Sequence, residues 1–162
     1  MVLPTGRIRA PQFEQLEYDL KPSNPLVGPR HMSAISGEDR KLSVLVVDDE
    51  ELVADSLVEI LNKFGYSAYS LYSGAAAITR ATEKPFDVLI IDVVMSKITG
   101  IDAAIEICKT LPNCKVLLVS GNEKAADLLN EALERGHDFD ILAKPVHPSV
   151  IIDRLKAMSV LN

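Results

Sequence analysis

From Leu42 onward, short apolar runs alternate with segments whose apolar residues recur at helical spacing. That alternation is the sequence sign of repeated βα units and of a parallel sheet covered by helices. The runs predict strands over 43–47, 67–71, 87–91, 115–119 and 139–142. Several are apolar on both pleat faces, as expected when helices cover both sides of the sheet. Between the first two runs, Val53, Leu57, Ile60, Leu61 and Phe64 repeat at helical spacing, and Gly65 follows where a helix end favours a left-handed residue. Further helices are predicted over 74–82, 101–109 and 122–135, and a last one from near Pro148 through Ile151, Leu155 and Met158. The predicted fold class is α/β, a three-layer doubly wound sandwich around a five-stranded parallel sheet.

Residues 1–41 break this pattern. They hold Pro4, Pro11, Pro22, Pro25 and Pro29 and little apolar periodicity, which predicts a flexible arm ahead of one domain over 42–160. The whole chain of 162 residues, 48% hydrophobic and 25% charged, leaves room for one such domain. Its formal charge of −6 comes with scattered basic residues, so direct nucleic-acid binding is not expected. No apolar run approaches the ~20 residues of a membrane span, and the N-terminus lacks a signal-peptide core. A cytoplasmic protein without membrane insertion is expected. Cys108 and Cys114 lack a second Cys/His pair and read as packing thiols. His31, His137 and His147 read as surface or loop residues.

The chemistry lies at the strand ends. Asp48 and Asp49 follow the first strand, Asp92 the third and Ser120 the fourth, and Lys144 comes just after the fifth. Parallel strands of an open sheet end on one edge, so these residues converge there. Singly, each has an ordinary structural use as a helix cap, a turn residue or a surface lysine. Jointly, they define one site. Three crowded carboxylates repel one another unless a cation neutralises them, and Mg2+, which takes oxygen ligands and keeps waters, suits that role. Lys144 adds a compact positive charge and Ser120 a hydroxyl. The set fits phosphoryl transfer onto a carboxylate oxygen of Asp92, where catalysis is mostly positioning and charge neutralisation.

The segments VVDDE at 46–50, DVLIIDVVM at 87–95, LLVSGN at 117–122 and LAKP at 142–145 resemble the receiver domains of bacterial two-component response regulators, over about residues 42–158. The resemblance implies strand order 2-1-3-4-5 and Asp92 as phosphoacceptor. It implies that Asp49, Asp92 and the backbone carbonyl of Val94 ligate Mg2+ directly, and that Asp48 acts through a bound water. It further implies a cis Lys144–Pro145 bond that aims the lysine inward, and a Ser120 that shifts toward the phosphate with the following loop and helix. The phosphodonor would be a sensor histidine kinase or a histidine phosphotransfer protein. No separate substrate turnover is expected. With only four residues after Met158, output would pass to a separate downstream protein, as in a stand-alone receiver.

Two positions depart from the family pattern. Ser96 stands where proline is common, and Ile141 where an aromatic residue usually sits, which bears on the usual aromatic switch. An aspartyl-phosphate phosphatase would need a second Asp two residues after the first, and Val94 occupies that place. A nucleotide-binding protein would need a Gly-rich phosphate loop, which the chain lacks. The alternative that stays open is a degenerate receiver acting as a phosphorylation-independent binding module.

Overall fold

The computed structural model of the chain describes residues 40–121 and 125–160. Nearly all of the arm expected over 1–41 lies outside those residues, and so do residues 122–124 at the expected start of the fourth helix. The elements run β1 (Ser43–Val47), α1 (Glu51–Lys63), β2 (Ser67–Leu71), α2 (Gly74–Glu83), β3 (Val88–Asp92), α3 (Gly100–Thr110), β4 (Lys115–Ser120), α4 (Ala125–Glu134), β5 (Asp140–Ala143) and α5 (Pro148–Val160). The five strands form one sheet in the order β2-β1-β3-β4-β5, with every pairing parallel. The expected fold class and strand order are both present.

Strand alternation divides the interior into two cores, one on each sheet face. Leu45, Val47, Leu89, Ile91, Val116 and Leu118 point to the face covered by α2, α3 and α4, where Ala77, Ile101, Ile105 and Ile107 meet them. Val44, Val46, Val88, Ile90, Leu117 and Val119 point to the other face, against Ala54 and Leu61 of α1 and Ile151, Ile152 and Leu155 of α5. This double burial explains why β1, β3 and β4 read as continuous apolar runs. The edge strands β2 and β5 are less buried.

Local chemistry sets the ends of several elements. Gly65 has φ of 92°, so the left-handed residue expected after α1 is present. Ser73 caps α2 by accepting from the Ala76 N–H, and Thr99 caps α3 by accepting from the Asp102 N–H. Pro148 opens α5 as its first residue.

Two expectations need correction. The apolar face of α1 is carried by Ala54, Leu57, Val58, Ile60 and Leu61, so Leu57, Ile60 and Leu61 pack as expected, while Val53 and Phe64 stand out to solvent. The helix turns its small Ala54 inward, a residue that a search for large apolar side chains passes over. Strands β3 and β4 also run one residue further than expected, through Asp92 and Ser120, because the backbone ladder continues where the side chains turn polar. Asp92 pairs with Val119 in register, and the Val93 N–H still donates to the Val119 carbonyl at 2.9 Å.

Candidate acidic site at the sheet edge

The strand order reverses direction between β1 and β3, and a crevice opens outside their carboxyl ends at such a switch point. Asp48 and Asp49 leave β1 at this crevice, and Asp92 is the last residue of β3. One carboxylate oxygen from each of the three can be chosen so that all lie within 4.8 Å of one another. Lys144, one residue beyond β5, sends its ammonium into the same place. Its Nζ donates to Asp48 Oδ2 at 2.9 Å and to Asp92 Oδ2 at 2.8 Å. Asp48 is buried, and Asp92 and Lys144 are partly buried. Burial works against a charged Lys144, but its bonds to the two carboxylates outweigh that and hold its pKa above the ordinary lysine value.

Backbone amides complete the charge balance. The Glu50 N–H donates to Asp48 Oδ1 at 3.0 Å, the Val94 N–H to Asp92 Oδ1 at 3.1 Å and the Ser96 N–H to Asp49 Oδ2 at 3.3 Å. Each carboxylate therefore has one amide, while the lysine serves only Asp48 and Asp92. Asp49 is exposed and faces solvent. A set of converging oxygen ligands, one of which has no cationic partner among the described residues, has the chemistry Mg2+ prefers. The residues present fit that ion.

Ser120 is buried at the end of β4, and its carbonyl accepts from the Lys144 N–H at 2.8 Å. Hydroxyl and ammonium thus arise from backbone-linked neighbours. The Lys144–Pro145 peptide is cis, as the resemblance implied. All five side-chain candidates therefore meet at one edge, and Val94 lies beside them in the β3–α3 loop. His147 sits exposed between β5 and α5, and half-buried His137 stacks on Phe139. His31 lies outside the described residues.

Sequence reasoning missed two contributors. Gly100, the first residue of α3, lies so close to β3 that a Cβ there would overlap the Asp92 carbonyl oxygen and come within 2.8 Å of its carbon. Its position directly after the capping Thr99 was the available signal. The amide of Ser96 left no trace in the sequence, since any residue but proline supplies one.

Residues 44–156 match the response regulator receiver domain family, and the chain belongs to that family. It is 30% identical over 117 residues to the response regulator receiver protein CpdR of Brucella abortus, covering 72% of this chain and 96% of that protein. It is 33% identical over 117 residues to the chemotaxis protein CheY of Thermotoga maritima, with the same coverage. Among solved structures, the receiver domain of the Francisella response regulator 1452 superposes with a TM-score of 0.63 at 25% identity, covering 73% of this chain and 96% of that one. Receiver domains are signalling modules that histidine kinases phosphorylate, that signal to output partners and that generally bind Mg2+ at an acidic pocket. Among the described residues, no helix is long and apolar enough to cross a membrane.

Proposed function

We propose that this chain is a phosphorylation-driven switch in which Asp92 accepts a phosphoryl group from the phosphohistidine of a sensor kinase or phosphotransfer protein. The observation that carries this reading is the Lys144 ammonium bound between Asp48 and Asp92. It keeps one Asp92 oxygen paired with a cation while Asp49 faces solvent. Asp49, Asp92 and the Val94 carbonyl would hold Mg2+, with Asp48 reaching it through water, and the ion would neutralise the incoming phosphoryl oxygens.

In the transfer, a carboxylate oxygen of Asp92 attacks phosphorus, a P–O bond forms, the P–N bond to the donor imidazole breaks, and the imidazole leaves with the electron pair. The Lys144 and Val94 bonds hold the Asp92 carboxylate in place for the attack. Once Asp92 carries the phosphoryl group, Lys144 exchanges a carboxylate oxygen for a phosphoryl oxygen, and the buried Ser120 hydroxyl is the nearby group able to donate to it. That exchange gives the modified state its own set of contacts, which any shift in conformational population requires. Leu52 and Val94 are exposed apolar residues beside the acids, 81% and 47% accessible, a surface suited to a protein donor rather than to a small solute.

The test is chemical labelling. With Mg2+ and acetyl phosphate or a phosphohistidine protein, the chain should acquire one hydroxylamine-sensitive phosphoryl group, and Asp92→Asn should acquire none. Full labelling of Asp92→Asn sinks the assignment. An unlabelled wild type that still binds its partners would instead support the phosphorylation-independent binding module.

A further inference from the structure

The β3–α3 loop leaves Asp92 and returns to α3 through a tight reversal. The Ile98 N–H donates to the Ser96 carbonyl two residues back at 3.1 Å, and Lys97, between them, has φ of 76°. A lysine at positive φ costs conformational energy, so the turn persists only where surrounding contacts hold it. One such contact is the Gly100 N–H bond to the Val93 carbonyl at 2.9 Å, which closes the loop at its base. Another is the Ser96 N–H bond across to Asp49 Oδ2, which ties this loop to the one that follows β1.

That second tie falls on the carboxylate with the greatest freedom. Asp48 and Asp92 are fixed by Lys144, whereas Asp49 is exposed and receives no bond from that lysine. A carboxylate offers about four lone-pair sites, so an amide on Oδ2 leaves Oδ1 open to a cation. Holding a ligand in place before the ion arrives removes part of the ordering cost of binding. Hydrogen bonds to metal-binding carboxylates commonly act in this way.

We propose that the backbone N–H of Ser96 is a positioning group for divalent-cation binding, latching the β3–α3 loop to Asp49 and so pre-assembling the two loops that face the ion. The inference rests on the reading of Asp49 as a Mg2+ ligand. The tie uses only the amide, so in this chain any residue but proline at position 96 keeps it, and the proline common there in the family forgoes this particular tie.

Titration calorimetry of the full chain with Mg2+ separates the possibilities. Ser96→Ala, which keeps the N–H, should bind within two-fold of wild type, as expected when the side chain is not used. Ser96→Pro should bind at least about five-fold more weakly, a threshold set below the roughly 10–100-fold cost of losing such a bond. Equal or tighter binding by Ser96→Pro overturns the proposal. Asp49→Ala is the control for the underlying reading: wild-type affinity in that variant overturns the ligand role itself, and the latch with it. A second measurement is independent of the proline. Without metal, amide exchange at Ser96 should quicken at least about three-fold in Asp49→Ala, and an unchanged rate overturns the latch even if Ser96→Pro fails to fold.

Discussion

At the scale of single residues, the acid site depends on close approach as much as on charge. Gly100 lets the first turn of α3 rest against the backbone of Asp92, and a methyl group there would overlap the Asp92 carbonyl. Gly100→Ala should therefore cost about 3 kcal/mol or more, at the upper end of overpacking effects. It should also slow labelling of Asp92, because relief of the overlap moves either the helix or the acceptor. A melting temperature and a labelling rate both within error of wild type would show that the contact is easily relieved. Cys114 makes a separate point about burial. Its thiol is buried beside Leu111 and Val116, and burial first of all pushes its pKa from 9.0 up to about 12. A raised thiol pKa means that the neutral form stabilises the fold. That contribution is complete below pH 9 and is lost as pH rises from 9 toward 12. Over this window wild type should lose stability more steeply than Cys114→Ala, and identical slopes in chemical denaturation would contradict it. Near pH 8, thiol reagents should reach Cys108 well before Cys114.

Elements carry the consequence of modification outward. By strand alternation Ser120 and Ile141 belong to the face covered by α3 and α4, and Ile141 packs against the core there. Ile141 is β-branched and lacks a ring, so modification of Asp92 has no aromatic volume to exchange beside Ser120. The response should travel as displacement of the β4–α4 loop and α4 (Ala125–Glu134). Ser120→Ala should then still accept the phosphoryl group but show at least about five-fold weaker coupling between labelling and partner binding, roughly 1 kcal/mol. Amide shifts with and without beryllofluoride check it, and an α4 that stays still while α5 moves would refute it. The strand and helix elements, and the meeting of Asp48, Asp49, Asp92, Ser120 and Lys144, were legible because apolar runs and polar strand ends follow directly from a doubly wound sheet. The inward face of α1 was legible only in part: Leu57, Ile60 and Leu61 pack as read, but Ala54 carries little hydrophobic signal and Phe64 carries much while standing in solvent. The Lys97 turn and the Ser96 N–H that donates to the Asp49 carboxylate are backbone features, and the side chains of Ser96 and Lys97 do not encode them.

For the molecule as a whole, the sheet acts as a partition. Leu61 and Leu155 are fully buried on the side of α1 and α5, and Ile107 is fully buried on the side of α3, with the strand backbones between the two groups. Leu61 and Ile107 belong to separate clusters, so a rearrangement at one reaches the other only through the sheet. Truncating Leu61 and Ile107 together should therefore cost the sum of the single truncations to within about 0.5 kcal/mol. Truncating Leu61 and Leu155 together should depart from the sum by more, since both line one interior and each void changes how the other can collapse. Denaturant titrations of the three single and two double variants check this, and strong non-additivity across the sheet would mean that the strands themselves deform. Additivity of this kind makes each side a separate ledger of tolerated change. Substitutions can accumulate among α1 and α5 without narrowing the choices open to α2, α3 and α4, and the two sides are held to a common history only at the edge where Asp92 and Lys144 meet.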